Sequence, residues 1–457
     1  MANSLSAALP QFWANTALMQ LMEMTPAVQS VNRQFAPQLA RAGDQVNAYR
    51  ADRRYTKRKD GADNNTEDDA NLTAVPVVLD QYFYDAFVIT DEDESLSIAQ
   101  LTDLFLVEAV RTIARGVDRA VLGRVHAFLQ QGTPSKRAGR LGGMTTSNAE
   151  DYILEAEEVL ADNLAPMDGL RTAIVHHTVN TKLMGTDVFM RSDARGMDPS
   201  VQTGQVGTVF NTRVIMSQNV NYVNSASADT QDGAINNTGG YAAGHTAAMT
   251  CTDPGENWEV GEYAVVEGND QPTYLTATTG TTSITLNEAL KYDVADAAVI
   301  KHYLHVENEA TERAAGYKKT MTFTHNAGKN LQVGQLLSFG TTSRHTYTII
   351  EVSATTSTTT TVLLDRPLEA TVASGADAYP GPAGAMCPVM DSNAIAFVSR
   401  PMREKNKGAI SAVANYEGIG IRVSMQDELA SSGTRVVVDL LAGVSVLNED
   451  LCCVMLA

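Results

Sequence analysis

The stretch SIAQLTDLFLVEAVRTIARGVDRAVLGRVHAFLQQ, residues 97–131, carries the strongest structural pattern in the chain. Ser97 suits the N-cap of a helix, and the acidic run 91–94 places negative charge near the positive end of that helix. We predict one helix over residues 97–131, roughly 50 Å long at about 1.5 Å per residue. Its apolar side chains recur every three or four residues, as on a helix with one buried face: Ile98, Leu101, Phe105, Leu106, Val110, Ile113, Val117, Val121, Val125 and Phe128.

The residues before this helix divide into an arm and a long hairpin. In the arm, residues 1–43, Pro10 suits the first turn of a helix and the Thr25-Pro26 step ends it. The apolar side of this helix would consist of Phe12, Leu18, Leu21 and Met22. Residues 44–78 predict an extended hairpin, in which β-compatible runs at 45–55 and 74–90 flank a polar tip at 60–71. Such a hairpin buries little of itself and must lie on something else.

The hairpin also carries a concentrated pair of opposite charges. Residues 50–59 contain six cations and one anion, and residues 60–69 contain five anions and no cation. Because these charges cancel, they suit contacts between copies of the chain better than contacts with DNA. The predicted intersubunit contact residues are Arg50, Arg53, Arg54, Lys57, Arg58, Lys59, Asp60, Asp63, Glu67, Asp68 and Asp69.

A mixed α+β region follows the long helix. Ser147 and Glu150 match a capping box at the start of a second helix. Its predicted apolar face consists of Ile153, Ala156, Leu160 and Leu164. Beyond it we predict strands at 171–175 and 208–220, a helical turn at 179–184, and loops at 195–207 and 224–240. Near the C-terminus we predict strands at 395–398, 419–423, 434–441, 444–447 and 450–456.

Residues 246–384 contain two copies of one pattern. Residues 260–263 recur at 333–336 with a shift of 73, and 274–276 are matched with 347–349 at the same shift. Residues 284–287 with Leu290 recur at 362–365 with Leu368, a shift of 78, and 249–252 recur at 321–324, a shift of 72. Alternating Thr, Val and Tyr in each copy predicts a small β-barrel or sandwich. The predicted units are 246–305 and 306–384.

Composition limits the classes of function. The formal net charge of −19 over 457 residues argues against a direct nucleic-acid reader, which normally presents a basic surface. No apolar stretch approaches the roughly 18 residues of a membrane span, and no basic residue precedes Arg33, so we expect a chain made and used in a cytoplasm. The four cysteines fit reduced, buried thiols. They are Cys251, Cys387, Cys452 and Cys453.

Catalytic, cofactor and metal motifs give a negative result. The neighbouring His176 and His177 stand at a predicted strand end and would point to opposite faces, so we interpret them as structural. Residues 91–94 lack the alternating ligands and the glycine of a calcium loop. We therefore predict no catalytic residue, no cofactor and no metal site. The remaining cations, Arg111, Arg115 and Arg119, share one face of the predicted helix. We interpret this as a solvated or intersubunit face, on which the arginines are partly paired with Glu108 and Asp118.

The order of these segments resembles the Hong Kong 97-type major capsid protein of tailed phages. The hairpin from GDQV (43–46) to VPV (75–77) looks like the extended loop of that fold, and residues 97–131 look like its spine helix. DSNAIAFVSRPM (391–402) and LLAGVSVL (440–447) resemble the last strands of coat proteins in the short-tailed Salmonella-phage group, which carries an inserted β-domain. VGQLLSFG (333–340) and IIEV (349–352) resemble segments of that insertion, although this chain has two units where the group has one.

The resemblance implies an α+β fold with a definite domain division. The implied parts are an N-terminal arm (1–43), an extended loop (44–78), a peripheral domain with the spine helix (79–165 and 385–415), an axial domain (166–245 and 416–457) and the two inserted all-β units. It also implies hexamers and pentamers that close into an icosahedral shell around double-stranded DNA, in the virion, after assembly in the host cytoplasm. A scaffolding protein and a portal would act as partners during assembly, and a cement protein is left open. The rival interpretation is a surface-exposed adhesin, tail or decoration protein built from the β units, which would leave the long helix and the hairpin unexplained.

Overall fold

The computed structural model describes residues 13–14, 16–19, 21, 25–35, 45–51, 56–61, 72–90, 101–129, 136–167, 171–186, 206–225, 228–252, 257–309, 311–341, 343–404, 410–416, 419–428 and 433–457, and the structural statements below concern these residues. They form an extended hairpin, two sheets packed with helices around one large core, and two closed β-barrels.

The arm is helical in part. Residues 13–14, 16–19 and 21 lie in a helix, and Leu18 and Leu21 are buried as predicted. Phe12 and Met22 lie outside the described residues. A short separate helix, named α1 (Pro26–Gln29), follows further along the chain and has the proline in its first turn.

The hairpin forms as predicted, but its second run is two strands. Strand β1 (Gln45–Ala51) pairs antiparallel with β2 (Leu72–Val78), and the run then breaks before β3 (Gln81–Thr90). Strand β3 leaves the hairpin and joins a sheet of the body.

The long helix is interrupted near its C-terminal end. Helix α2 (Leu101–Gly123) has 23 residues, and after Arg124 a separate helix, α3 (Val125–Leu129), follows. The Gly123 carbonyl accepts hydrogen bonds from Thr348 Oγ1 (2.9 Å) and His126 Nδ1 (2.7 Å), while the N–H of Ala127 donates to the Arg124 carbonyl (3.0 Å). The prediction of one helix over 97–131 is therefore wrong, because Gly123 is a weak helix former and its carbonyl accepts a hydrogen bond from a distant strand. Ser97 and residues 91–94 lie outside the described residues.

A seven-stranded sheet carries two further helices, α4 (Ala149–Asp162) and α5 (His177–Met184). Its strand order is β4-β26-β21-β5-β7-β6, with β8 paired to β21. These strands are β4 (Arg137–Gly139), β5 (Thr172–Val175), β6 (Gly207–Val209), β7 (Thr212–Met216), β8 (Asn221–Val223), β21 (Gly384–Met390) and β26 (Cys452–Leu456). The last strand follows a short 3₁₀ turn, Glu449–Leu451.

Three predictions for this region are wrong. Helix α4 begins after Asn148, not at a Ser147 capping box, because the Asn148 side chain is engaged with Thr145 instead. Leu164, placed on its buried face, is 65% exposed, since it adopts a left-handed conformation (φ 56°) just beyond the helix end. The single strand predicted over 208–220 is a hairpin of β6 and β7 that ends at Met216, because Phe210 and Asn211 both take positive φ and turn the chain. Most of the predicted loop 195–207 lies outside the described residues.

A five-stranded sheet packs beside helix α2. Its order is β22-β25-β24-β23, with β3 paired to β25 over ten residues. These strands are β22 (Ile395–Arg400), β23 (Ile410–Tyr416), β24 (Ile419–Glu428) and β25 (Gly433–Val446). The predicted division between a domain ending at 415 and one beginning at 416 falls inside strand β23.

Strand β25 was predicted as two strands, which is wrong. It runs unbroken through Gly443, where a side chain would come within 2.1 Å of the Val78 carbonyl oxygen. The lack of a side chain at Gly443 therefore lets the base of the hairpin pass close to strand β25, and the strand continues through this glycine.

Two closed six-stranded barrels stand where two β units were predicted. The first barrel is β9 (Thr230–Ile235), β10 (Met249–Thr252), β11 (Tyr263–Val266), β12 (Thr273–Thr279), β13 (Ser283–Leu286) and β14 (Val299–Tyr303). The second barrel is β15 (Val306–Asn308), β16 (Met321–Thr324), β17 (Leu336–Phe339), β18 (His345–Thr355), β19 (Thr359–Leu364) and β20 (Asp377–Pro380).

The first barrel starts earlier than the predicted unit 246–305. Strand β9 lies inside the segment 224–240, so the prediction of a loop there is wrong for those six residues. Gly233 reads as a loop residue in the sequence, yet in the strand its missing side chain makes room for Trp258, whose ring a Cβ would meet at 2.8 Å.

Both barrels are inserted at one place in the seven-stranded sheet. The chain passes from strand β8 into the first barrel, and from the second barrel it returns to the sheet at strand β21. These two strands pair antiparallel, and Val223 stands directly opposite Gly384. The two ends of the insertion therefore lie side by side.

Candidate functional site: assembly surfaces and barrel attachments

The predicted intersubunit contacts fall on the tip of the hairpin and its flanks. Lys57, Arg58, Lys59 and Asp60 are described, and all four are exposed. Arg50 belongs to strand β1, but its side chain lies outside the described residues. The same is true of the whole of Arg53, Arg54, Asp63, Glu67, Asp68 and Asp69. Intersubunit contact at this charged segment stays a prediction.

The hairpin is fixed to the body along one face only. Val46, Ala48 and Val77 pack against Ala396 and Val398 of the five-stranded sheet. On the opposite face the apolar side chains point into solvent, with Tyr49 69% exposed and Leu72 65% exposed. Tyr49 stands opposite Ala74 and Leu72 stands opposite Ala51, so the two exposed apolar side chains lie near each other on this face.

Strand β3 exposes aromatic side chains beside the hairpin. Tyr82 and Tyr84 are 49% and 63% exposed, and their rings stack at 5.8 Å. The Tyr82 hydroxyl donates to Asp439 Oδ2 (2.9 Å), and Asp439 forms a buried ion pair with Arg422 (2.6 Å). The aromatic surface is thus held in a fixed orientation.

A buried carboxylate fastens the arm to helix α2. Asp118 is fully buried and accepts hydrogen bonds from the Ala27 N–H (2.9 Å), Asn219 Nδ2 (2.9 Å) and Ser217 Oγ (3.3 Å). Burial raises the pKa of Asp118 to about 6, against the opposing effect of these hydrogen bonds. The predicted pairing of Asp118 with the arginine series is wrong, because its side chain turns inward.

The arginine series itself is divided between solvent and the second barrel. Arg111 and Arg115 pair with Glu108 at 3.5 and 3.0 Å on the exposed side of α2. Arg119 instead donates to the Ile350 carbonyl and to Glu351, both at 2.9 Å, on strand β18. One helix face thus includes an attachment point for a barrel.

The second barrel rests on the end of helix α2 through a buried charge cluster. Asp365 is 1% exposed and contacts Arg366 (3.2 Å) and Arg124 (3.8 Å). Burial alone would raise the pKa of Asp365, but the charges of Arg366 and Arg124 outweigh it and lower that pKa. Gly123 is needed here, since a Cβ would meet Asp365 at 2.9 Å.

The first barrel is attached to the seven-stranded sheet by a different set of charges. Arg137 of strand β4 forms a buried ion pair with Glu288 (2.8 Å). Lys291 Nζ and the Tyr292 hydroxyl both donate to Glu155 of helix α4, at 2.5 and 2.9 Å. Because Arg137 and Glu288 are both buried, removing one of these two partners would leave the other charged and buried.

The two barrels also contact each other. Arg344 of the second barrel lies over the rings of Tyr263 and Tyr274, 4.7 and 4.1 Å from their centroids. The Tyr263 hydroxyl lies 3.2 Å from Ser338 Oγ in a buried contact. Each barrel is thus tied both to the body and to its neighbour.

Two cysteines and the neighbouring histidines His176 and His177 have structural surroundings. Burial raises the pKa of the Cys251 thiol to about 11 and of Cys387 to about 12. The prediction that His176 and His177 face opposite sides is wrong: their rings lie 3.9 Å apart, because His176 caps helix α5 instead of extending a strand. His176 is buried and stacks on Tyr222, and burial lowers its pKa to about 4.

Sequence reasoning missed most of these attachments. Asp118 interrupts the apolar stripe of helix α2 between Val117 and Val121, which was a readable signal for a buried polar contact. Arg124 and Arg137 carried no such signal, because each is paired with a residue more than 100 positions away. Among the described helices, none has the length and apolarity that a bilayer crossing demands.

No protein-family model matches the chain, and no curated protein matches it. Among solved structures it is similar to a chain of Mycobacterium phage Che8, with 12% identity over 94% of this chain and 90% of that chain and a TM-score of 0.45. It is similar to a chain in the capsid structure of cyanophage P-SCSP1u, with 10% identity over 91% and 84% and a TM-score of 0.43. It is also similar to a chain in the asymmetric unit of the bacteriophage PhiM1 mature capsid, with 9% identity over 91% and 82% and a TM-score of 0.41. At these values, function has to be inferred from the chain's own residues.

Proposed function

We propose that this chain is the major capsid protein of a tailed double-stranded DNA phage, with the Hong Kong 97-type fold and an insertion of two β-barrels. The observation that carries the proposal is the β1–β2 hairpin, which contacts the body along one face and leaves apolar side chains of its outer face exposed. The described charged residues between its strands, 57–60, are exposed as well. Such a projection is stabilised when the neighbouring copy covers it. Repeated around a ring, many individually weak contacts then hold a closed shell together.

The sheets suggest how the body divides. The five-stranded sheet with helix α2 would be the peripheral part, and the seven-stranded sheet with helices α4 and α5 the axial part. The arm, held by Asp118, and the hairpin would reach across neighbouring copies. The closest group would be the coat proteins of short-tailed Salmonella phages, with the doubled barrel as the departure.

The proposed partners follow from this role. Copies of the chain would form hexamers and pentamers of an icosahedral shell, and a scaffolding protein and a portal would act during assembly in the host cytoplasm. The charge of −19 suits a virion shell that encloses DNA without sequence-specific binding, since a basic lining would hold the DNA too firmly during packaging and release.

Charge reversal at the hairpin tests the proposal. Changing Arg53, Arg54 and Arg58 to Glu should reduce the yield of closed particles in electron micrographs at least about tenfold, because it sets like charges against each other between copies. Circular dichroism and thermal unfolding of the unassembled chain should stay unchanged, since Arg58 is exposed. Reversing Lys318 and Lys319, two exposed cations of the second barrel, provides the control.

A compensating change sharpens the test. Adding Asp60→Lys, Asp63→Lys and Asp68→Lys to the triple reversal should restore part of the particle yield. Residues 50–59 then carry a net charge of −1 and residues 60–69 one of +1, so the two halves again have opposite signs. Normal particle yield from the triple reversal alone would contradict the proposed contact. Wild-type chain that stays monodisperse and monomeric in the presence of its scaffolding protein would favour the adhesin or tail-protein alternative.

A further inference from the structure

A cleft of about 730 Å³ lies where the first barrel passes into the second. Its walls come from both barrels and from the two-residue connection between strands β14 and β15. Glu259 and Glu262 belong to the first barrel, and Thr324 and Asn326 to the second. His305 lies in the connection itself, so one imidazole stands at the point where the barrels meet.

Three ligand atoms converge at one wall of this cleft. His305 Nδ1 lies 2.9 Å from Glu262 Oε1 and 3.4 Å from Glu259 Oε2. The three ligand atoms all lie within 4.8 Å of one another. Ligands that share a cation at bond lengths of about 2.0 to 2.2 Å stand about 3 to 3.5 Å apart, so the separations around the imidazole suit one ion.

The central carboxylate is held in place by the first barrel. Glu262 is 1% exposed, and its second oxygen, Oε2, contacts His302 Nε2 and accepts from the Glu259 N–H (3.2 Å). The His302 ring packs on Trp258 at 4.7 Å, which fixes the imidazole that orients the carboxylate. Hydrogen bonds behind a ligand are what position it for a metal ion.

The second barrel adds a negative charge beside the imidazole. His305 Nε2 faces Asp377 Oδ1 at 3.9 Å, while Nδ1 faces the two glutamates. This distance is too long for a hydrogen bond, so the Asp377 carboxylate acts through its charge, which favours a cation at this imidazole. The side chain of His305 is 31% exposed and that of Glu259 is 50% exposed, so the cleft supplies the open positions that water takes on a bound cation.

We propose that Glu259, Glu262 and His305 bind one divalent transition-metal cation, of which Zn²⁺ is the natural probe, at the junction of the barrels. One imidazole nitrogen and two carboxylates are a nitrogen–oxygen set that suits zinc and its first-row neighbours better than calcium or magnesium, which take oxygen ligands only. Bound there, the cation ties the first barrel to the connection that positions the second.

The cation competes with a proton for one atom of His305. Nδ1 stands 2.9 Å from Glu262 Oε1, so it carries the hydrogen of that bond when no cation is bound. A cation that takes Nδ1 displaces this proton into solvent, and binding is therefore coupled to proton release.

The second barrel offers an internal control. His345 Nδ1 lies 2.8 Å from Glu369, and the exposed fractions of the two side chains, 31% and 48%, match those of His305 and Glu259. Only one carboxylate is present there, and Arg366 already donates to it at 2.7 Å. This pair has the same local chemistry with one ligand fewer, so it is expected not to bind the cation.

Isothermal titration of the chelator-treated full chain with Zn²⁺ tests the site. The expected result is one Zn²⁺ per chain, with proton release detected as a dependence of the heat on the ionisation enthalpy of the buffer. His305→Gln and Glu259→Gln should each weaken binding at least tenfold, and His345→Gln should bind as the wild type does. Both ligand residues are partly exposed, and circular dichroism checks that the variants fold.

Two outcomes would overturn the proposal. One is wild-type binding no stronger than that of His305→Gln, and the other is an equal loss of affinity in His345→Gln. The titration uses unassembled chain, so its result is independent of whether the chain forms shells.

Discussion

The first and second barrels share one backbone plan but bury their charge at different points of it. The N–H of Tyr274 donates to Asn287 Oδ1 at 2.9 Å in the first barrel, and the N–H of Thr348 donates to Asp365 Oδ1 at 2.9 Å in the second. The side chains of Glu262 and Gln335 likewise accept from backbone N–H groups three residues earlier, at 3.2 and 3.1 Å. Each position keeps its hydrogen bond while its charge differs.

The charges are exchanged between the two positions. The first barrel has a carboxylate at 262 and an amide at 287, whereas the second has an amide at 335 and a carboxylate at 365. Each carboxylate has its own partners: His302 and His305 contact Glu262, and Arg124 and Arg366 contact Asp365. A duplicated fold can therefore keep its geometry and change its attachment, provided that each buried charge gains a partner.

The largest effect is expected from giving the second barrel the residue of the first. Asp365→Asn keeps the acceptor for the Thr348 N–H but leaves Arg124 and Arg366 without their buried partner. We expect the free energy of unfolding to fall by about 3 to 5 kcal/mol, the cost of breaking a buried ion pair. Denaturant unfolding measures this, with Glu312→Gln, an exposed charge removal in the same barrel, as the control. A loss below about 1 kcal/mol would mean that the charge is not what fastens this barrel.

The reciprocal change gives the first barrel the amide of the second. It should lower the free energy of unfolding by less, and the loss should depend on pH. Glu262→Gln should cost about 2 kcal/mol, the value of hydrogen bonds to a buried charge. Burial alone would raise the pKa of Glu262, but the hydrogen bonds from His302 and His305 outweigh it and lower the pKa to about 2. The same contact raises the pKa of His305 to about 9.

The lowered pKa of Glu262 and the raised pKa of His305 determine how the stability of the first barrel changes with pH. The stabilisation from Glu262 is present above its unfolded pKa of about 4.3 and is lost as pH falls towards 2. The stabilisation from His305 is present below about 6.5 and is lost as pH rises through 9. Thermal unfolding of the wild type should therefore show a decline between pH 6.5 and 9 that Glu262→Gln removes and His345→Gln keeps. An unchanged decline in Glu262→Gln would assign it to other groups.

The smallest effect concerns the hydrogen bond that ends helix α2. Thr348→Val keeps the shape of a buried side chain and removes the donor to the Gly123 carbonyl. We expect a loss of about 1 kcal/mol, one neutral hydrogen bond, in the unfolding free energy. Thr276→Val provides a comparison on strand β12 of the first barrel, where the hydroxyl is exposed and the loss should be smaller. Equal losses at both positions would show that contact with the helix adds nothing.

The features of the two barrels that depend on neighbouring residues in the sequence could be predicted, and those that depend on distant residues could not. Equivalent hydrogen bonds confirm two of the predicted matches. For the shift of 73 at residues 260–263, the N–H groups of Gly261 and Gly334 donate to the carbonyls of Leu275 and Ile349. For the shift of 78 at residues 284–287, the N–H groups of Asn287 and Asp365 donate to the carbonyls of Tyr274 and Thr348. The match of 274–276 to 347–349 is wrong by one residue: Tyr274 corresponds to Thr348, because backbone pairing and not the shared tyrosine fixes the register.

Contacts between residues far apart in the chain could not be predicted from the sequence. The break in helix α2 depends on Thr348, 225 residues from the carbonyl that it contacts. Glu288, the partner of Arg137, lies 151 residues along the chain from it. Asp365, the partner of Arg124, is also far away in the sequence, and no residue near either arginine indicates its partner. Apolar periodicity predicted that residues such as Ile113 and Val117 are buried, but it says nothing about which distant strand meets the end of the helix.

The pairing of Val223 with Gly384 has a consequence for how this chain can change over time. Neighbouring strands lie about 5 Å apart, so a turn of two or three residues could bridge the same gap as the whole double barrel. A single genetic insertion or deletion at this point therefore alters what the molecule displays and leaves the order of the sheet intact. The same point would accept any foreign domain whose two ends are adjacent, which makes it a natural site for grafting cargo onto the surface of the protein.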